Sequence, residues 1–317
     1  MRLLAATGDA IALLDGDGDG FRISLALENS GAQCLASGEG FLVAGSRGAG
    51  VWRSDDAGDT WRDLRLPQPD VFSVAVSPVD GTVYAGCEPS MLFRSDDGGE
   101  SWRELESLRA IPSAPTWSFP PRPWTSHVRW IAPSPHEPGL VLVGIELGGL
   151  MRSEDGGESW EDHRPGAKLD VHSLAWHLTA RGRAYETGGD GTAWSRDGGR
   201  SWQPIDDGRD RNYSWALAVD PNDPDSWFAS VSPGPYQAHS DGRADAYLYR
   251  WSADGPWERI AGPFASMPYA LRFAGAALYA GLSDGRMLAS DDGGKTWREV
   301  PLSGASVRRI VALATLD

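Results

Sequence analysis

Ser153–Trp160 reads SEDGGESW. Near copies stand at Ser54 (SDDAGDTW), Ser95 (SDDGGESW), Ser195 (SRDGGRSW) and Ser290 (SDDGGKTW), with a shortened one, SADGPW, at Ser252. Self-similarity at a fixed period outranks any local reading of secondary structure. The central aspartates Asp56, Asp97, Asp155, Asp197, Asp254 and Asp292 recur at about 40 residues, stretched to about 58 in two places, and a repeat of roughly 40–50 residues is the range of a propeller blade.

The residues around each copy carry one strand grammar. VFSVAVSP, from Val71 to Pro78, is a β-rich run stopped by proline. TVYAG (82–86), MLFRS (91–95) and SWREL (101–105) supply three more runs. Four short strands with turn signals between them make one antiparallel blade. The repeated stretch falls between the third and fourth strands. Its aspartate accepts backbone N–H groups, its glycines take positive φ, and its tryptophan brings a large apolar surface.

The count is seven. Five blades carry a full copy and one the short copy. The last is split: RLLAAT (2–7), AIALLD (10–15) and FRISLAL (21–27) lack an inner strand, and SVRRIVALA (306–314) is an inner strand with nothing after it. Pairing them closes the ring and removes the open edges. The expectation is a single all-β domain over residues 1–317, a seven-bladed propeller of four-stranded antiparallel blades. Two insertions fall at about 106–126 and 231–247.

Composition agrees. The chain has 317 residues with 39 Gly and 22 Pro, set in short clusters. The net charge of -15 repels phosphate backbones and sets nucleic acid aside as a partner. Cys34 and Cys87 are too few for a disulfide framework. No apolar run reaches the roughly 18 residues of a membrane span, and the N-terminus does not read as a signal peptide. A cytoplasmic protein with no membrane partner is expected.

The motif S-x-D-x-G-x-[ST]-W resembles the Asp box, or bacterial neuraminidase repeat, of a propeller superfamily. Its members include sialidases, xyloglucan-type glycosidases, the sortilin luminal domain and a photosystem II assembly factor. The resemblance covers essentially the whole chain. It implies that Asp56, Asp97, Asp155, Asp197 and Asp292 are peripheral and structural, away from the ligand face. Sialidase chemistry is not carried over, since the R-I-P motif and a clear arginine triad are missing. Nor can the carboxylate pair of the xyloglucan-type enzymes be placed.

DGDGDG (15–20) has the D-x-D-x-D-G start of a calcium loop, through Asp15, Asp17 and Asp19. Ile23 and Ala26 occupy later ligand positions, so it reads as a degenerate turn. No cofactor and no metal are expected otherwise.

Aligning the inner strands on their AVSP, IAPSP and LAVDP endings gives one ring position at the mouth: Gln33, Phe72, Arg129, His172, Trp215, Tyr269 and Arg308. A plain core would put aliphatic residues there. Convergent polar and aromatic groups mark a site. The loops after the second strands add Arg47, Glu88 and Glu146. Glu88 and Glu146 hold equivalent places in adjacent blades, so together with His172 they are the catalytic candidates, two carboxylates being able to divide acid and base roles. Arg129, Trp215, Tyr269, Arg308, Arg47, His127 and Tyr213 are the ligand-binding candidates. Trp117, Phe119 and Trp124 of the first insertion read as a lid or wall. The expected function is a small-molecule or glycan site at the central mouth, glycosidase-like or lyase-like if catalytic. The alternative is a non-catalytic scaffold with a protein partner.

Overall fold

The structure is a computed structural model, and it describes residues 1–119, 125–252 and 255–316. Trp124 and Asp254 of the short copy lie outside these residues. Seven sheets stand in sequence order. We number the blades from the N-terminus. Blade 2 has strands Ala32–Gly38, Phe41–Ser46, Gly50–Ser54 and Arg62–Asp63, inner to outer. Blades 3, 5, 6 and 7 repeat this order, with inner strands Val71–Val76, Val171–Trp176, Tyr213–Val219 and Pro268–Ala274. Blade 4 begins with Val128–Pro133 and has three strands, its fourth reduced to an Arg152–Glu161 bridge.

Blade 1 is closed by the chain end. Ala312–Thr315 pairs antiparallel with Arg2–Ala6, placing Leu3 opposite Thr315 and Ala6 opposite Ala312. The same tail does a second thing that the repeat pattern did not announce. Leu302–Gly304 runs parallel to Gly20–Ala26 on the other edge of the sheet. The tail therefore covers both edges of blade 1, where unpaired strands would otherwise template association.

Each repeated turn is built alike. In blade 4 the Ser153 hydroxyl donates to Asp155 Oδ1 at 2.8 Å and accepts the Gly157 N–H at 2.8 Å. Ser159 gives Asp155 both its N–H, at 2.9 Å, and its hydroxyl. Asp56, Asp97, Asp197 and Asp292 bind the same partners in their own turns. All five aspartates are exposed and none lines the central cavity.

The inner ring is drawn tight by glycines on the second strands. A Cβ on Gly45 would lie 2.7 Å from a Val71 methyl. Gly86 receives Val128, Gly144 receives Val171 and Gly281 receives Ile310 in the same way, at 2.2–2.4 Å. Each glycine thus seats a β-branched residue that opens the next inner strand or, for Ile310, stands two residues before it.

The DGDGDG stretch is not a calcium loop. Asp15 and Asp17 lie on the strand Ile11–Asp17, and Asp17 pairs with Gly20 across a two-residue turn. Asp15 takes two of the three guanidinium nitrogens of Arg2, Nε and Nη2, at 2.7 and 3.0 Å. Asp17 lies 3.6 Å from Arg22. Arginines of the two neighbouring strands thus take Asp15 and Asp17.

The first insertion folds into two 3-10 turns, Glu106–Ala110 and Ala114–Thr116, tied down where the Ser113 N–H meets Asp162 at 2.9 Å. Trp117 behind them is buried. The second insertion contributes one helical turn, Pro235–Ala238. No helix among the described residues is long and apolar enough to cross a membrane.

Candidate functional site

The inner strands share one irregularity. Pairing with the second strand skips a residue between Ala32 and Cys34, Val71 and Ser73, Val128 and Trp130, Val171 and Ser173, and Pro268 and Ala270. In blade 6 the skip is wider, from Ser214 to Leu217. The skipped residues are Gln33, Phe72, Arg129, His172 and Tyr269, with Trp215 in the wide skip. A β-bulge leaves its residue outside the ladder and re-aims the side chain. Six ring positions read from the sequence are therefore bulge residues.

The seventh is not Arg308. Ile310 fills the seat at Gly281 that Val71 fills at Gly45, so the residue equivalent to Phe72 is Val311. Arg308 is exposed and outside the cavity, whereas Arg309 and Val311 line it. The ring residue lies three places beyond Arg308, because Ile310, which resembles the aliphatic residue two places after the ring, instead fills the seat one place before it.

A cavity of about 670 Å³ opens at the mouth. His127, almost wholly buried and just after the first insertion, lines it. His127 Nε2 is 2.6 Å from Glu146 Oε2, and Nδ1 is 3.4 Å from Glu88 Oε2. The imidazole stacks on Phe72 with centroids 3.9 Å apart, and Phe119 closes on its edge at 5.2 Å. Glu88 and Glu146 thus meet as expected from their equivalent places, but across an imidazole rather than across open space.

Two arginines flank this group. Arg129 Nε is 3.5 Å from Glu146 Oε2, and its guanidinium lies 4.7 Å over the Trp215 ring. Arg47 lies 4.6 Å over Phe72. Burial alone would raise the Glu146 carboxyl, but the His127 hydrogen bond and the Arg129 charge outweigh it and bring it down to about 2.

His172 is fully buried and does not line the cavity. Its Nδ1 lies 2.7 Å from the Ser214 carbonyl, so Nδ1 carries the proton. Nε2 then faces Asp170 Oδ2 at 3.5 Å and Glu146 Oε1 at 4.0 Å. Burial brings the His172 imidazole down to about 4. Burial, with the nearby Glu146 charge, pushes the Asp170 carboxyl up to about 7. Asp170 was missed in the sequence. Its signal was available: Asp170-Val171-His172 repeats Asp70-Val71-Phe72, placing an acid two residues before the ring position.

Also lining the cavity, His239 bridges two phenols. Its Nε2 is 2.7 Å from the Tyr213 hydroxyl and its Nδ1 2.8 Å from the Tyr269 hydroxyl. Trp215 packs beside it, centroids 4.8 Å apart. Burial raises the Tyr213 phenol far above its usual range, so the bridge is a neutral hydrogen-bonded strut. Of the ligand-binding candidates, Arg47, His127, Arg129, Trp215 and Tyr269 border the cavity, and Tyr213 stands behind them.

No protein-family model and no curated protein matches the sequence. Solved structures do. An ancestral GH74 enzyme superposes with a TM-score of 0.64 at 17% identity, over 84% of this chain and 38% of its own. The chain therefore spans well under half of that enzyme. YCF48 bound to a D1 peptide gives 0.59 at 18%, over 84% of this chain and 81% of its own. The computationally designed Ika8 protein gives 0.63 at 15%, over 100% and 88%. At these identities the likeness shows the β-propeller fold alone.

Proposed function

We propose that the mouth cavity binds a small anionic, polyhydroxylated ligand such as an acidic sugar, and that His127 exchanges a proton with it. The observation that carries this reading is the convergence of Arg47, Arg129 and Arg309 with His127 and the Trp215 and Tyr269 rings around one cavity. Arginine forks bind carboxylates in bidentate fashion, and aromatic faces stack on sugar rings or flat ligands. His127 Nδ1 and Arg129 Nε are buried and lack a hydrogen-bond partner, a state that a polar ligand relieves.

Glu146 holds the imidazole through Nε2, leaving Nδ1 as the atom for transfer, with Glu88 beside it. This favours lyase-type proton chemistry over two-carboxylate glycoside hydrolysis. In the latter the carboxyl groups flank the scissile bond, and here the His127 ring fills the space between them. The Asp-box superfamily, suggested by the repeated turn, is the family we place the chain in. The GH74 neighbour is compatible with a glycan ligand.

A scaffold is the second reading, supported by the peptide-bound YCF48 neighbour. It needs a broad apolar surface. Among the described residues the large exposed apolar side chains are few, Val79, Leu147, Leu169, Leu178 and Tyr236 among them. The deciding experiment is calorimetric titration with glucuronate, galacturonate and N-acetylneuraminate, with glucose and galactose as neutral controls. Binding of an acid that Arg129→Ala weakens at least tenfold supports the ligand site. No binding of any acid by the intact protein rejects it and leaves the scaffold.

A further inference from the structure

We infer that Glu146, Asp170 and His172 form a binding site for one divalent transition-metal ion, set against the wall of the mouth cavity. Each residue offers one donor atom, and the three atoms lie within 4.8 Å of one another. The three come from separate places: the loop after a second strand of blade 4, the residue before an inner strand, and the bulge of that strand.

The imidazole decides the reading. His172 Nδ1–H is spent on the Ser214 carbonyl at 2.7 Å. A metal-bound histidine typically donates its other ring N–H to a carbonyl or carboxylate, which fixes the tautomer and aims the bare nitrogen. The bare nitrogen here, Nε2, is fully buried and has no hydrogen-bond partner. Facing it are carboxyl oxygens of Asp170 at 3.5 Å and Glu146 at 4.0 Å, which in their ionised forms are acceptors like itself. Buried lone pairs facing one another with nothing between them are costly. A cation turns that cost into three bonds.

The carboxylates are prepared in the same sense. Glu146 Oε2 is taken by His127 at 2.6 Å, which leaves Oε1 for the ion. That hydrogen bond plays the supporting role that outer groups play around bound metals. Asp170 Oδ1 is also buried without a partner. Bonds of about 2.0–2.2 Å set neighbouring donor atoms roughly 3–3.5 Å apart. The observed 3.5 and 4.0 Å from His172 Nε2 therefore require only a small inward shift. One imidazole with two carboxylates suits zinc or manganese, whereas magnesium and calcium favour all-oxygen sets.

This inference shares Glu146 with the ligand reading but does not depend on it, because the metal is read directly and without ligand. The full chain is dialysed against a chelator, and Zn²⁺, Mn²⁺ or Mg²⁺ is then added singly. We expect Zn²⁺ or Mn²⁺ to bind at one equivalent per chain and to raise Tm by about 5 °C at a hundredfold excess over Kd. Mg²⁺ should bind at least tenfold more weakly. Asp170→Asn should weaken the ion at least tenfold while keeping the metal-free Tm of the parent. His172→Gln, checked for folding by circular dichroism, should do the same. Absence of bound metal at 100-micromolar ion, or equal affinity in the parent and Asp170→Asn, overturns the site; a proton shared by the acceptors then takes the place of the metal.

Discussion

The Arg53 guanidinium donates to the Gly98 carbonyl at 2.7 Å, across the seam between blades 2 and 3. The contact recurs. Arg94 reaches Gly156 at 3.1 Å, and Arg152 reaches Gly198 at 2.7 Å. Each arginine stands just before the serine of its own repeated turn and clamps the turn of the next blade. The receiving glycine is required twice over. Gly98 and Gly156 have φ of +72° and +73°, and a Cβ on either would lie 2.2 or 2.1 Å from the guanidinium. The repeated turn therefore organises its own blade and also presents a carbonyl to its neighbour.

Loss of the clamp should loosen the ring without touching the mouth. Arg94→Ala should cost about 1–3 kcal/mol in a denaturant titration, since it leaves the partly covered Gly156 carbonyl only the long 3.5 Å contact with the Tyr84 hydroxyl. The buried Arg152 should cost more when replaced by alanine. An unchanged midpoint for both variants would show that the seam does not use these contacts.

The turn itself is a second stability test. Asp155→Ala removes the acceptor for the Ser153 hydroxyl and for both donors of Ser159. A loss of about 1–3 kcal/mol is expected, with ligand affinity at the mouth unchanged in the folded fraction. Weakened ligand binding at full stability would contradict the structural role.

Closure predicts an asymmetry between two truncations. Ending the chain after Gly304 removes the inner strand but leaves Leu302–Gly304 on the outer edge. Ending it after Val300 exposes both edges of blade 1. Size-exclusion chromatography should show aggregation for both and more for the shorter chain. A monomeric chain ending at Gly304 with the parent Tm would refute closure by the tail.

The fold was legible because its signal is redundant. Each turn repeats the same serine, aspartate, glycine and tryptophan, and the split blade declared itself by one strand missing and one to spare. Six ring positions were legible too, because a bulge keeps its place in the inner strands of blades 2 to 7. Arg309 was not, since Ile310 satisfies two alignments equally and only its fit against Gly281 separates them. The clamp of Arg53 on Gly98 was hidden because its partners lie 45 residues apart in different repeats. His127 was legible only as a residue near the mouth. Its place between two carboxylates depends on how the first insertion folds back.

A buried acid gives a pH test. Glu186 is opposite Leu174, where Ala44 is opposite Leu35 and Ala85 opposite Val74. It is wholly buried; Oε2 accepts the Lys168 N–H at 3.0 Å and Oε1 has no partner. Burial pushes its carboxyl well above the usual range. The folded state therefore holds a proton that the unfolded chain releases near pH 4.5. The relative stability is intact below that pH and falls as pH rises toward the folded value, by about 1.4 kcal/mol per unit. Glu186→Gln keeps the acceptor and abolishes the titration. The Tm of the variant should exceed that of the parent by an increasing margin from pH 5 to pH 8. A margin independent of pH would mean that Glu186 is charged in the fold.

The slipped register supplies the last test, because adjacent arginines now make opposite predictions. Arg309 borders the cavity, in the segment that leads Ile310 into its seat at Gly281, while Arg308 is exposed outside it. Both carry the same charge and lie one residue apart, so long-range attraction of an anion is nearly equal for the two and weak after screening. A direct contact is not shared. Arg309→Ala should weaken a carboxylate ligand by about tenfold, on the scale of one charge-assisted hydrogen bond, and Arg308→Ala should change affinity less than twofold. Neither side chain is buried, so both variants should keep the Tm of the parent within a few degrees. Equal small losses for the two would mean that the tail only attracts the ligand from a distance. A loss confined to Arg308→Ala would return the ring to the register first read from the sequence and remove Val311 from the mouth.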